Sequence, residues 1–165
     1  MNEPPATLQA LAERVRDSMF STDAAAHALG MRVLSISPGH ASVAMTVRAD
    51  MLNGFAICHG GLVATLADTA FAYACNAHDV LTVASGFSVD LLRPSHEGDR
   101  LTAVAREMHK SGRTGLYDVV INNQRGECVA QFRGRSHSLT GRPVIGGAPM
   151  PAQDRMSADP VRSSS

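Results

Sequence analysis

A chain of 165 residues with 44% hydrophobic side chains is long enough for one well-buried core and short for two, so it reads as a single domain. Fifteen Lys plus Arg balance fifteen Asp plus Glu, which leaves no net field to attract nucleic acid or an anionic membrane. The opening residues, among them Glu3, Pro4, Pro5, Glu13 and Arg14, lack the unbroken apolar run of a signal peptide or membrane span, and a cytoplasmic protein is expected.

Between residues 7 and 20, Leu8, Leu11, Ala12, Val15 and Met19 recur at helical intervals, predicting a short amphipathic helix that docks on a larger body. Ser21 or Asp23 is placed to cap a second short helix ending near Gly30. Residues 31–37 and 41–47 read as a hairpin around Pro38-Gly39, with Ala41, Val43, Met45 and Val47 alternating against polar neighbours.

After Asn53-Gly54, residues 59–76 are rich in Ala and Leu, free of Pro and apolar on nearly every side, the pattern of a buried helix whose polar groups need partners. Strands follow at about 82–92, 100–109, 115–123 and 127–139, the last two joined by a turn at 123–126. From Thr140 the composition shifts to Gly, Pro, Ser and scattered charges, too poor in apolar groups to offset the entropy of ordering, so a disordered tail is expected. The plan is α+β: a hairpin, one buried helix, then a run of antiparallel strands that wraps it. It divides into an N-terminal helical segment (1–28), a main domain (29–139) and a tail (140–165).

His59-Gly60-Gly61 stands where the buried helix begins. Consecutive glycines let another molecule approach amides that have no intrahelical acceptor, and the positive end of the helix suits a developing oxyanion. Simple relief of a tight loop-to-helix entry explains the same glycines. Asp68, in Leu66-Ala67-Asp68-Thr69-Ala70-Phe71, has no basic residue nearby in sequence, and a desolvated carboxylate has the raised pKa of a general base. The alternative is a structural acid hydrogen-bonded to Thr65. Eight helical positions separate Gly60 from Asp68, roughly 12 Å along the axis, so one reacting carbonyl does not reach both within one chain. If this is an enzyme, its site lies between subunits.

The turn Lys110-Ser111-Gly112-Arg113-Thr114 and Arg93 before Pro94 are positive groups suited to phosphates, though basic residues at strand ends are commonly plain solvated ones. Cys58, Cys75 and Cys128 are odd in number and widely spaced, which fits reduced packing thiols. The seven histidines form no closely spaced pair on a helix face, so no metal site is expected. There is no Gly-x-Ser-x-Gly elbow, P-loop or dinucleotide fingerprint, which leaves attack by water.

Asn53-Gly54, His59-Gly60-Gly61, Leu66-Ala67-Asp68-Thr69-Ala70 and Leu92-Arg93-Pro94, in that order, resemble the hotdog-fold thioesterase superfamily. The resemblance is to its PaaI (phenylacetic acid degradation) branch, and extends through residues 71–76 and 132–137 to cover roughly 29–139. It implies a long helix wrapped by a curved antiparallel sheet of five to six strands, dimers joined sheet edge to sheet edge, and usually a tetramer. It further implies that Asp68 acts as general base or nucleophile, that the Gly60 amide faces the thioester oxygen, that Asn53 holds the water, that His59 supports the loop and that the Ser85 hydroxyl assists the acid. Gly61, Thr69, Arg93, Pro94, Lys110, Ser111, Gly112 and Arg113 are implied to bind substrate, the basic ones its nucleotide part. The expected activity is hydrolysis of acyl-CoA, of the (hydroxy)phenylacetyl type, with coenzyme A as part of the substrate and no separate cofactor. A hotdog enoyl-CoA hydratase or dehydratase, or a non-catalytic acyl-CoA-binding protein, are the competing readings.

Overall fold

The structure, a computed structural model, describes residues 5–148, with side chains from residue 7 onward. Helix α1 (Pro5–Phe20) buries Ala12 and Val15, and Asp23 caps α2 (Ala24–Ala28) by accepting the Ala26 N–H at 3.0 Å. The hairpin β1 (Arg32–Ser37) and β2 (His40–Thr46) turns on Gly39, whose φ of +73° is one that glycine adopts without strain. Then come α3 (Gly60–Asn76), β3 (Thr82–Leu91), β4 (Arg100–Ser111), β5 (Thr114–Asn122) and β6 (Cys128–Ser138).

All six strands form one antiparallel sheet in the order β1-β2-β4-β5-β6-β3. The strand that follows α3 in sequence therefore crosses to the far edge and pairs with the last, a connection that strand periodicity does not specify. In the first half of β4 and along β5 every second residue is buried, including Leu101, Ala103 and Ala105, and Tyr117, Val119 and Ile121. That face packs on α3, whose Leu66, Ala67, Ala70, Phe71 and Ala74 lie in the same core. Phe71 meets Tyr117 edge-on at 5.3 Å between centroids and Phe132 at 5.8 Å. A long helix wrapped by a six-stranded antiparallel sheet is the α+β hotdog plan that the sequence predicts.

The two sheet edges differ. Along β1, α1 packs against the strand and Gln9 Nε2 donates to the Ile36 carbonyl at 2.9 Å. The β3 edge has no strand beyond it among the described residues and exposes Phe87 and Leu91. Asn76 fixes β3 against the end of α3: its Nδ2 donates to the Thr82 carbonyl and its Oδ1 accepts the Thr82 N–H, both at 2.9 Å. Residues 140–148, expected to be the start of a disordered tail, are instead tied by hydrogen bonds to residues 79 and 81. The rest of that tail lies outside the described residues.

Candidate active site

At the head of α3, His59 is the N-cap and supplies no side-chain cap. Its carbonyl accepts the Leu62 and Val63 amides and its own N–H donates to the Met51 carbonyl, so it braces the loop through its backbone while the imidazole is exposed. Among the described residues no acceptor takes the Gly60 or Gly61 N–H. A Cβ on Gly60 would overlap Leu91 Cδ1, whereas one on Gly61 would meet open space. A side chain at position 60 would therefore have to displace Leu91, whereas one at position 61 would displace nothing.

Gly60 opens into a cleft of about 480 Å³ that Asn53, Arg93, Pro94 and Ser95 also line. Asn53 Oδ1 accepts the Phe55 N–H at 2.9 Å and the Ile57 N–H at 3.4 Å, curling the 53–57 loop and leaving the side-chain Nδ2 without a bond among the described residues. Ser95 is 2% exposed and its hydroxyl has no partner there, a buried polar group available to a ligand. Ser95 follows Arg93-Pro94 directly, and nothing local in the sequence announces its orphan hydroxyl.

Asp68 lines a different cavity of about 310 Å³, walled by apolar groups of α3 and β3. Its carboxylate makes no hydrogen bond or ion pair among the described residues, and burial alone pushes its pKa up. The Thr65 hydroxyl, the structural partner considered for it, donates instead to the Gly61 carbonyl at 2.8 Å. Thr69 likewise commits its proton to the Thr65 carbonyl at 2.8 Å, so it cannot donate to a substrate as it stands. Ser85 sits at a β-bulge and donates to the Arg135 carbonyl at 3.1 Å, with no bond to Asp68 of its own chain.

Asp99 is the instructive contrast. It is buried more deeply than the half-buried Asp68, yet it accepts the His96 N–H at 2.9 Å and Gln124 Nε2 at 2.8 Å, with Arg125 at 3.4 Å. Those bonds, the backbone one foremost, hold its pKa below the ordinary value. One carboxylate is satisfied and structural, the other bare and facing a cavity.

The basic groups separate in the same way. Arg93 and Pro94 stand beside Gly60, while Lys110 lies close enough to Cys75 and His78, at the far end of α3, to act on both electrostatically. Ser111, Gly112 and Arg113 continue that exposed β4–β5 turn, with Gly112 at φ +56°. A single chain thus brings Gly60, Asn53, Arg93 and Pro94 together and keeps Asp68 and Lys110 apart from them. Among the described residues no cluster of His, Cys, Asp or Glu is arranged to hold a metal.

Comparison with known proteins gives the family. The Escherichia coli (strain K12) acyl-coenzyme A thioesterase PaaI is 51% identical over 124 residues, 75% of this chain and 89% of that protein, and the thioesterase superfamily model matches residues 55–130. The chain belongs to the thioesterase superfamily. Among solved structures, the E. coli PaaI protein from the phenylacetic acid degradation operon superposes on this thioesterase with a TM-score of 0.80 at 48% identity, covering 81% of this chain and 97% of that one. Smu.793 from Streptococcus mutans UA159, bound to acetyl CoA, matches at TM-score 0.64 and 26% identity, over 66% of this chain and 88% of that one. The residues of the thioesterase that fall inside the family match include Gly60, Asp68, Ser85 and the 110–113 turn; α1 and residues 139–148 fall outside it.

Proposed function

We propose that the enzyme hydrolyses acyl-CoA thioesters of the phenylacetyl type to the free acid and coenzyme A, at a site shared by two protomers. The observation that carries this is the bare Asp68 carboxylate in an apolar cavity, further along the same helix from an amide-lined cleft. An acid held in apolar surroundings without a partner is costly and is maintained where its basicity is used.

In the reaction, water held near Asp68 attacks the thioester carbonyl carbon while the carboxylate takes its proton. The Gly60 N–H of the other protomer stabilises the tetrahedral oxyanion, and its Asn53 amide orients the water. Collapse expels the coenzyme A thiolate, which recovers the proton from Asp68. Direct attack by Asp68, giving a mixed anhydride that water then opens, uses the same groups. Single turnover in heavy-oxygen water separates the routes, since label in the protein carboxylate marks direct attack.

Arg93 and the Lys110–Arg113 turn are the groups for the nucleotide phosphates, coenzyme A being part of the substrate and no further cofactor being needed. The exposed β3 edge is where two sheets join, giving a dimer as the smallest active unit and a dimer of dimers as the assembled form. Three free cysteines suit a reducing compartment, and the cytoplasm is the proposed location. No helix of the described residues is long and apolar enough to cross a membrane.

Thiol release from phenylacetyl-, hydroxyphenylacetyl-, benzoyl- and straight-chain acyl-CoA tests the reading. Preferred turnover of the arylacetyl substrates is expected; hydration of crotonyl-CoA without thiol release, or tight acyl-CoA binding without turnover, would overturn it.

A further inference from the structure

The cavity beside Asp68 is not closed by the helix and sheet alone. Its wall includes Met19 from the last turn of α1 and Val144 from the segment that composition reads as tail. That segment is built onto the fold. Leu139 N–H donates to the Leu81 carbonyl and Leu81 N–H to the Arg142 carbonyl, at 2.8 Å each. The Val144 and Ile145 amides then converge on one carboxylate oxygen, Asp79 Oδ1, at 2.9 and 2.8 Å. Asp79 lies just past the end of α3 at φ +58°, a left-handed conformation that Asp and Asn tolerate better than most residues. Two charge-assisted bonds from consecutive amides fix a short strap against the helix end.

Position along α3 sets the role of this strap. Asp68 and Cys75 both line the cavity, and seven helical residues separate them, about 10 Å along the axis. Val144, held by Asp79 beyond the helix end, therefore stands at the end of the cavity away from the reacting carboxylate. A cavity of about 150 Å³ holds a benzene molecule, so about 310 Å³ has room for one ring with a short linker.

We infer that residues 139–148, pinned by Asp79, and the end of α1 form the floor of the acyl pocket, and that Val144 and Met19 set the largest acyl group the enzyme accepts. The inference rests on the thioesterase reading and adds to it a specificity element outside the residues the family model matches. A long unbranched chain is stopped by the Val144 and Met19 side chains, while a phenylacetyl group stops short of them.

The test compares kcat/KM for acetyl-, phenylacetyl- and decanoyl-CoA in the full-length enzyme and three variants. Val144→Ala deepens the floor and is expected to raise the decanoyl-to-phenylacetyl ratio about tenfold, the scale that a few apolar atoms contribute to discrimination. Val144→Phe fills it and is expected to lower the phenylacetyl-to-acetyl ratio by a similar factor. Asp79→Gly keeps the left-handed turn but removes the acceptor, and is expected to move selectivity in the same direction as Val144→Ala. Unchanged ratios in all three active variants, or a wild type that already hydrolyses decanoyl-CoA as well as phenylacetyl-CoA, overturn the inference and leave the thioesterase reading standing. A wild type that releases no thiol from any of them sinks that reading instead.

Discussion

Asp68 and Asp99 show how environment divides two identical side chains, one left unpaired beside a cavity and one satisfied by hydrogen bonds. Replacing Asp68 by Asn keeps the shape and removes the proposed base, so kcat for thiol release should fall by more than about a hundredfold, with an unchanged circular dichroism spectrum. The acid limb of the kcat/KM profile should lie above the ordinary aspartate range, because burial raises the Asp68 pKa and activity is lost as pH falls through it. Stability runs the opposite way. Below the unfolded value, about 3.9, neither state carries the Asp68 charge; above the folded pKa only the folded state bears the cost of desolvating it, so stability falls as pH rises through that window. Asp68→Asn should therefore have a higher Tm than wild type at neutral pH, a gap that closes toward about pH 4; a lower Tm at neutral pH would refute the account. Asp99 has its folded pKa depressed, so its contribution is present above the unfolded value and lost as pH falls through the folded one. Asp99→Asn should lower neutral-pH stability by about 1–3 kcal/mol, read by denaturant titration. Asp68 was legible as an unpaired acid in an apolar helix; which carboxylate the chain satisfies was not, since the partners of Asp99 include Gln124, 25 residues away.

The helix α3 works at both ends, and its glycine neighbours decide how closely other groups approach. Gly60→Ala adds a methyl against Leu91, whose half-exposed side chain can swing aside. We expect little change in Tm but a fall in kcat of at least about tenfold, because methyl and displaced Leu91 crowd the oxyanion donor. Gly61→Ala meets nothing and should retain most activity, which separates the two glycines that sequence alone treated as a pair. Deeper in the core, a Cβ on Gly134 of β6 would come within 2.9 Å of Phe132 Cε1 and 3.0 Å of Phe71 Cε2. Gly134→Ala wedges the sheet from α3 and should cost about 1–3 kcal/mol, measured by chemical denaturation. Nothing in the periodicity of β6 marks that contact, because the Phe71 ring it meets belongs to a helix three strands earlier in the chain.

At the scale of the whole molecule, a shared site makes a prediction that no single chain can imitate. Mixed from unfolded chains, the two impaired variants Asp68→Asn and Gly60→Ala should recover about a quarter of wild-type turnover, since half the dimers are mixed and each has one intact site. No recovery, with mixed dimers verified by mass, would place both groups in one chain. The separation of the Gly60 cleft from the Asp68 cavity supports recovery. The sequence by itself determined the elements, the buried helix with its glycine head and lone acid, and the spacing that keeps those two apart, because periodicity, glycine and helical rise are local properties. Only the tertiary structure decided that β3 lies at the sheet edge beside β6, that the Thr69 and Ser85 protons are already used, and that Met19 and a supposed tail wall the cavity at Asp68. Those outcomes depend on pairings between residues far apart in the chain, whose hydrogen bonds and packing exist only once the whole fold has formed and so leave no mark on any one segment.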